Sequence, residues 1–170
     1  FLKIIFYMKY IITIFITLFA IQLTAQPFYF DRYSSDGGLS SAVISDIVQD
    51  STGFLWIGTQ DGLNRFDGYN FQVYKNTSGQ ESSLNDNLIR SLHVDKNGTL
   101  WVGTRKGVAR YNPVADNFTR LPGILFGHQN NDKVRVQKIL SDKRNHIWIA
   151  MQENGIFHYN PKNQKYKHFH

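Results

Sequence analysis

At 170 residues the chain can hold one domain with a substantial core, or can be a piece of something larger. It has no Cys, which excludes a disulfide framework, a thiolate nucleophile and any Cys-ligated metal, and its formal charge of +6 is scattered, which argues against a nucleic-acid-binding patch. An aromatic share of 15% and 13 Gly suit many short strands joined by tight turns better than a helical bundle.

The first predicted element is a secretory leader over residues 1–25, with the start taken as Met8. Met8-Lys9 precedes an apolar run from Tyr10 to Leu23, and Leu23-Thr24-Ala25 before Gln26 offers a small-residue cleavage site. A run of about 14 residues is about 21 Å long as a helix, short of the roughly 30 Å hydrocarbon core, so a cleaved leader is expected ahead of a permanent anchor. Its loss would remove Lys3 and Lys9 and no acid, leaving 17 basic residues against 13 acidic ones. Lys162, Lys165 and Lys167 cluster near the end and read as a solvated face.

From residue 26 onward the chain repeats itself. Phe28–Tyr33 alternates as an outer strand, and Phe71–Tyr74, Phe118–Leu121 and Tyr166–Phe169 are its counterparts in later units. A turn at Leu39-Ser40-Ser41, echoed at Leu84-Asn85-Asp86, leads into strands Val43–Gln49 and Leu88–Val94, with Val134–Leu140 as the third copy. Apolar positions align across these copies without strict alternation, as in strands buried on both faces.

Next comes the most regular segment, Asp50-x-x-Gly53-x-x-Trp56-x-Gly58, which returns as Asp95, Gly98, Trp101 and Gly103, and again as Asp142, Asn145, Trp148 and Ala150. The aspartates are expected to accept hydrogen bonds from the turn backbone, while Gly53 and Gly98 supply positive φ; Asn145 is the residue that best tolerates that conformation after Gly. Each Trp is read as a plate between neighbouring sheets, with Gly58 and Gly103 permitting close backbone approach. A further turn at Gly62, Gly107 and Gly155 starts the third strand of each unit, with one residue inserted before Gly155. The Trp residues lie 45 and 47 residues apart, the period of β-propeller blades of four short strands. The expected fold is all-β: a partial β-propeller over residues 26–170, made of about three four-stranded antiparallel blades in an open arc. The blades fall near 34–74, 79–121 and 128–169, with 28–33 an outer strand of a closing blade.

The string from Gly38-Leu39-Ser40 through Asp50, Gly53, Leu55-Trp56-Ile57-Gly58-Thr59 to Gly62-Leu63-Asn64-Arg65-Phe66-Asp67-Gly68 resembles the two-component regulator propeller repeat. The resemblance spans roughly Phe28 to His170. It implies the periplasmic sensor region of a hybrid two-component histidine kinase of Bacteroidetes-type bacteria, in which many blades form two propellers. A three-tyrosine immunoglobulin-like domain, a membrane helix, a histidine kinase and often a receiver with a helix-turn-helix output follow in that family. By the same resemblance the partners are the remaining blades of a full-length sensor and an oligosaccharide ligand, full-length members are homodimers, and the placement is exported, periplasmic and tied to the inner membrane. No cofactor is implied, and the three units match none of the family's kinase or receiver motifs.

Catalytic and metal patterns are weak. The six His, at 93, 128, 146, 158, 168 and 170, form no His-x-x-x-His pair on a helix; His93 reads as a packed strand residue, and His168 and His170 as a frayed end. Sialidase Asp-boxes place Gly two and the aromatic residue five positions after Asp, whereas here the offsets are three and six. The reading is therefore a sensory propeller without catalytic or metal-ligating residues, the alternative being an exported propeller enzyme or an interaction scaffold. Ligand-binding residues are unassigned, with Gln60, Asn64, Arg65 and Arg105 the loop candidates for sugar hydroxyls.

Overall fold

The computed structural model describes residues 2–20, 28–123 and 134–169, in two units that are taken separately here. In the first unit, α1 (Leu2–Ala20) holds the apolar run from Tyr10 as far as Ala20. Among the described residues no helix is long and apolar enough to cross a membrane. The expected cleavage site at Leu23-Thr24-Ala25 lies outside the described residues. Phe28–Tyr33, expected as an outer strand, forms none: it has no ladder partner among the described residues, and a strand without a neighbour leaves its backbone groups unpaired.

The second unit is three four-stranded antiparallel meanders in chain order. Blade 1 is β1 (Ile44–Gln49), β2 (Leu55–Thr59), β3 (Gly62–Phe66) and β4 (Phe71–Tyr74). Blade 2 is β5 (Ile89–Val94), β6 (Leu100–Thr104), β7 (Gly107–Asn112) and β8 (Asn117–Arg120). Blade 3 is β9 (Val136–Ser141), β10 (Ile147–Met151), β11 (Ile156–Asn160) and β12 (Lys165–Phe169). The structure is a partial β-propeller, and these sheets close no ring among the described residues. The third blade was expected from 128, and its residues 128–133 lie outside the described residues.

Blades pack face to face through two apolar clusters. Trp56 and Leu63 of blade 1 meet Ile89, Leu92 and Val102 of blade 2, while Trp101 and Val108 of blade 2 meet Val136, Ile139 and Ile149 of blade 3. The glycines beside the first two tryptophans make this approach possible: a Cβ on Gly58 would stand 2.6 Å from Ile89 Cγ2, and one on Gly103 2.5 Å from Val136 Cγ1. The expectation that every inner strand is buried on both faces holds for β5 but not for β1. In β1, Ile44 and Ile47 are 46% and 52% exposed, because no blade lies on that side among the described residues.

A device invisible to the repeat pattern joins the inner strands. A register shift in β1 sits beside Asp46, and one in β5 beside Ser91. The Asp46 carboxylate accepts the Leu92 N–H of blade 2 at 2.9 Å, and Ser91 Oγ accepts the Ile139 N–H of blade 3 at 3.1 Å. Asp46 also accepts Lys138 Nζ at 2.9 Å, so one carboxylate of blade 1 reaches both following blades. Burial alone would raise the pKa of Asp46, but the bonds from Leu92 and Lys138 outweigh it and hold the group below its ordinary value.

Candidate functional site

Each blade has two ends, set by the two hairpin turns of its second strand. At one end stands the aspartate turn. Asp50 Oδ1 accepts the N–H groups of Thr52 at 2.9 Å and Phe54 at 3.1 Å; Asp95 treats Asn97 and Thr99, and Asp142 treats Arg144 and His146, in the same way. Gly53, Gly98 and Asn145 have φ of +96°, +78° and +63°, so the asparagine adopts the left-handed conformation expected of it. The second oxygen does something the spacing did not announce: it accepts the indole N–H of Trp56, Trp101 and Trp148 at 2.7, 2.9 and 3.3 Å. In blades 1 and 2 these turns are structural, since both carboxylate oxygens are spent on the turn and its tryptophan.

Between the blades at this end are two related clefts. One, of about 380 Å³, is walled by Phe54, Trp56, Arg65, Asn97, Tyr111 and Pro113. The second, of about 220 Å³, has Trp101, Arg110, Tyr159 and Pro161 at the corresponding places. In the first, Arg65 lies 5.0 Å from the Phe54 ring centroid and donates to Tyr111 Oη at 2.8 Å. Asp116 Oδ1 gathers the hydroxyls of Tyr111 and Tyr74 and lies 3.3 Å from Arg65. Hydrogen bonds from Tyr111 and then Tyr74 hold the Asp116 carboxyl below its usual range, while burial, aided by the bond to Asp116, pushes the Tyr74 phenol well up.

The opposite end carries a polar network built by the β2–β3 turn and the connection from blade 1 to blade 2. Asp61 accepts Lys75 Nζ at 2.6 Å and Asn87 Nδ2 at 3.2 Å, and Arg105 pairs with Asp86 at 3.2 Å. The backbone N–H of Gly62 donates to Asn87 O at 2.8 Å, tying the turn to the next blade. Next in sequence to Asp86, Asn85 is 8% exposed, and neither its Nδ2 nor its Oδ1 finds a hydrogen-bond partner among the described residues. Such an amide costs about 1–3 kcal/mol unless something pairs with it. Nothing in the repeat pattern pointed to Asn85, because its counterpart in blade 1 is Ser40.

The four loop candidates separate on this map. Gln60 and Arg105 stand at the polar end, Gln60 exposed and Arg105 half-exposed. Asn64 is fully buried instead: it accepts Ser40 N–H at 2.8 Å and donates to Ser40 Oγ and Ile57 O, so it is a structural residue removed from any ligand. Arg65 belongs to the interblade cleft at the other end. Among the histidines, His93 is packed, as expected, with Nε2 2.8 Å from Ser141 Oγ and its pKa lowered by burial. His168 is not a frayed end: its ring stacks 3.9 Å from Phe157 and its Nε2 lies 2.8 Å from Asn154 O. His146 and His158, apart in sequence, come together beside Asp142, with their ring nitrogens 3.0 Å apart. His128 and His170 lie outside the described residues.

Similar proteins place this architecture. A profile of the two-component regulator propeller family matches residues 38–61 and 83–106, the run into and through the Trp strand of blades 1 and 2. Histidine kinase P4 of Formosa agariphila is 45% identical over 67 residues, which is 38% of this chain and 5% of that protein. The extracellular domain described as that of a hybrid two-component system of B. thetaiotaomicron is 27% identical, with a TM-score of 0.72, over 84% of this chain and 20% of its own. Virginiamycin B lyase from Staphylococcus aureus, 15% identical with a TM-score of 0.53 over 74% of this chain and 40% of its own, shares the fold alone. The chain thus spans a fifth or less of the sensor proteins it matches. Motif, blade geometry and these likenesses agree: in residues 38–61 and 83–106 the chain matches the repeat of the two-component regulator propeller family.

Proposed function

We propose that this chain supplies three non-catalytic blades to the sensory propeller of an exported two-component sensor, and that the polar end of the blades takes part in recognising an oligosaccharide. The observation that carries the second part is Asn85, a buried amide with both polar atoms unpaired among the described residues, next in sequence to Asp86, which pairs with Arg105. Sugars offer paired donor and acceptor hydroxyls, which suit amide, carboxylate and guanidinium groups. The likeness to an extracellular sensor domain supports the first part.

Two measurements test this. Intact mass of the exported protein is expected to show loss of the leader, with a new N-terminus near Gln26; retention of residues 8–25 would remove the leader from the proposal. Glycan-array binding by the sensor region bearing these blades is expected to find oligosaccharide ligands, and Asn85→Ala and Arg105→Ala each to weaken them at least about tenfold. An array without any binder would eliminate the oligosaccharide reading and leave the propeller assignment standing.

A further inference from the structure

Blade 3 departs from its siblings at two positions that meet in space. Four residues after the turn aspartate, blades 1 and 2 have Phe54 and Thr99; opposite the tryptophan on the third strand they have Arg65 and Arg110. Blade 3 has histidine at both, His146 and His158, the latter paired with Trp148. His146 Nδ1 lies 3.0 Å from His158 Nε2 and 3.5 Å from Asp142 Oδ2, and His158 Nε2 lies 3.8 Å from that oxygen. A point equidistant from three atoms so spaced is about 2.0 Å from each, the length of a Zn–N or Zn–O bond.

The geometry points to a three-ligand site for a divalent transition-metal ion, zinc by ligand type, made by Asp142, His146 and His158. A proton shared between the two imidazoles would satisfy one edge of this triangle and leave the other two, at 3.5 and 3.8 Å, beyond hydrogen-bond length. A cation satisfies all three edges, and two imidazole nitrogens with one carboxylate oxygen are a donor set suited to Zn²⁺. The side chains are 21–30% exposed, so water can reach a fourth position. Asp142 Oδ1 meanwhile stays engaged with the Arg144 and His146 N–H groups, which fixes the carboxylate, and the indole bond to Oδ2 is longer here than in the other two blades. A bound ion would join the β9–β10 turn to β11, clipping the blade across two hairpins. The site is independent of the sensory reading, being at the aspartate-turn end.

The test uses the 170-residue chain freed of any affinity tag. Equilibrium dialysis against Zn²⁺, which self-association does not disturb, is expected to find a tight single equivalent, and Co²⁺ to give the visible absorption of a low-coordinate site. His146→Phe and His158→Arg install residues found in blade 1, and each is expected to lower affinity at least about tenfold, whereas His168→Gln leaves it unchanged. Asp142→Asn keeps an acceptor for the turn while removing the ligand's charge, and serves should either histidine variant fail to hold its far-ultraviolet circular dichroism. No bound metal in the wild type, or undiminished binding in all three ligand variants, would overturn the site.

Discussion

The indole N–H of Trp56 donates to Oδ2 of Asp50 at 2.7 Å, across the turn that the other oxygen of the same carboxylate closes. One side chain thus shapes the β1–β2 hairpin and aims the ring that fills the space before the next blade. The pairing explains why aspartate and tryptophan recur together at a separation of six. Burial tends to raise the pKa of Asp50, and the bonds from Thr52, Trp56 and Phe54 bring it below its ordinary value.

Trp56→Ala is expected to destabilise the blades by about 3–5 kcal/mol, because the ring is 1% exposed and its loss leaves an interblade void. Trp101→Ala should cost a similar amount, and Trp148→Ala less, since that ring is only partly buried. Urea unfolding followed by circular dichroism measures this; small, equal losses at all three sites would contradict the interblade role.

Gly103→Ala tests the close approach. Its Cβ would meet Val136 Cγ1 at 2.5 Å, and overpacking of this kind costs about 1–3 kcal/mol. Adding Val136→Ala removes the clashing methyl, so the double variant should fall short of the sum of the two single losses. Strict additivity would place the clash elsewhere.

Asp116 gives a pH signature. Its folded pKa is lowered, so its contribution to stability is present above the unfolded value of about 4 and is lost as pH falls through the folded value. Asp116→Ala should cost about 1 kcal/mol at neutral pH, a small figure because the carboxylate is 51% exposed to screening solvent. The gap between variant and wild type should narrow in acid; a gap independent of pH down to the acid limb would show that the carboxylate's charge is irrelevant.

The outer face of blade 1 predicts self-association. Val43, Ile44 and Ile47 are each about half exposed, while the Tyr33 ring meets Phe66 and Phe71 edge to face. Uncapped faces of repeat proteins seek a partner. The chain by itself should sediment as oligomers, and Ile47→Lys should shift it toward monomer. A monodisperse wild-type monomer with a cooperative melt would mean that three blades suffice.

The spacing of Trp56, Trp101 and Trp148, the glycines beside the first two and Asn145 at the third turn were enough to read the fold, because blade geometry is local and repeats itself. A turn needs positive φ at one place, and a close sheet contact needs a missing Cβ at another; both leave a residue-level mark in every copy. What depends on neighbouring blades left no such mark. Asn64 and Arg65 are adjacent in a strand, yet one turns to its own blade and is buried by Ser40, while the other reaches Tyr111 of the next. Asn85 looks like any loop asparagine until its amide is found enclosed. His146 and His158 are twelve residues apart on different strands, and only the hairpin register sets their nitrogens 3.0 Å from one another. Hydrogen bonding and coordination depend on distance in space, and for residues on separate strands that distance is decided by pairing and packing.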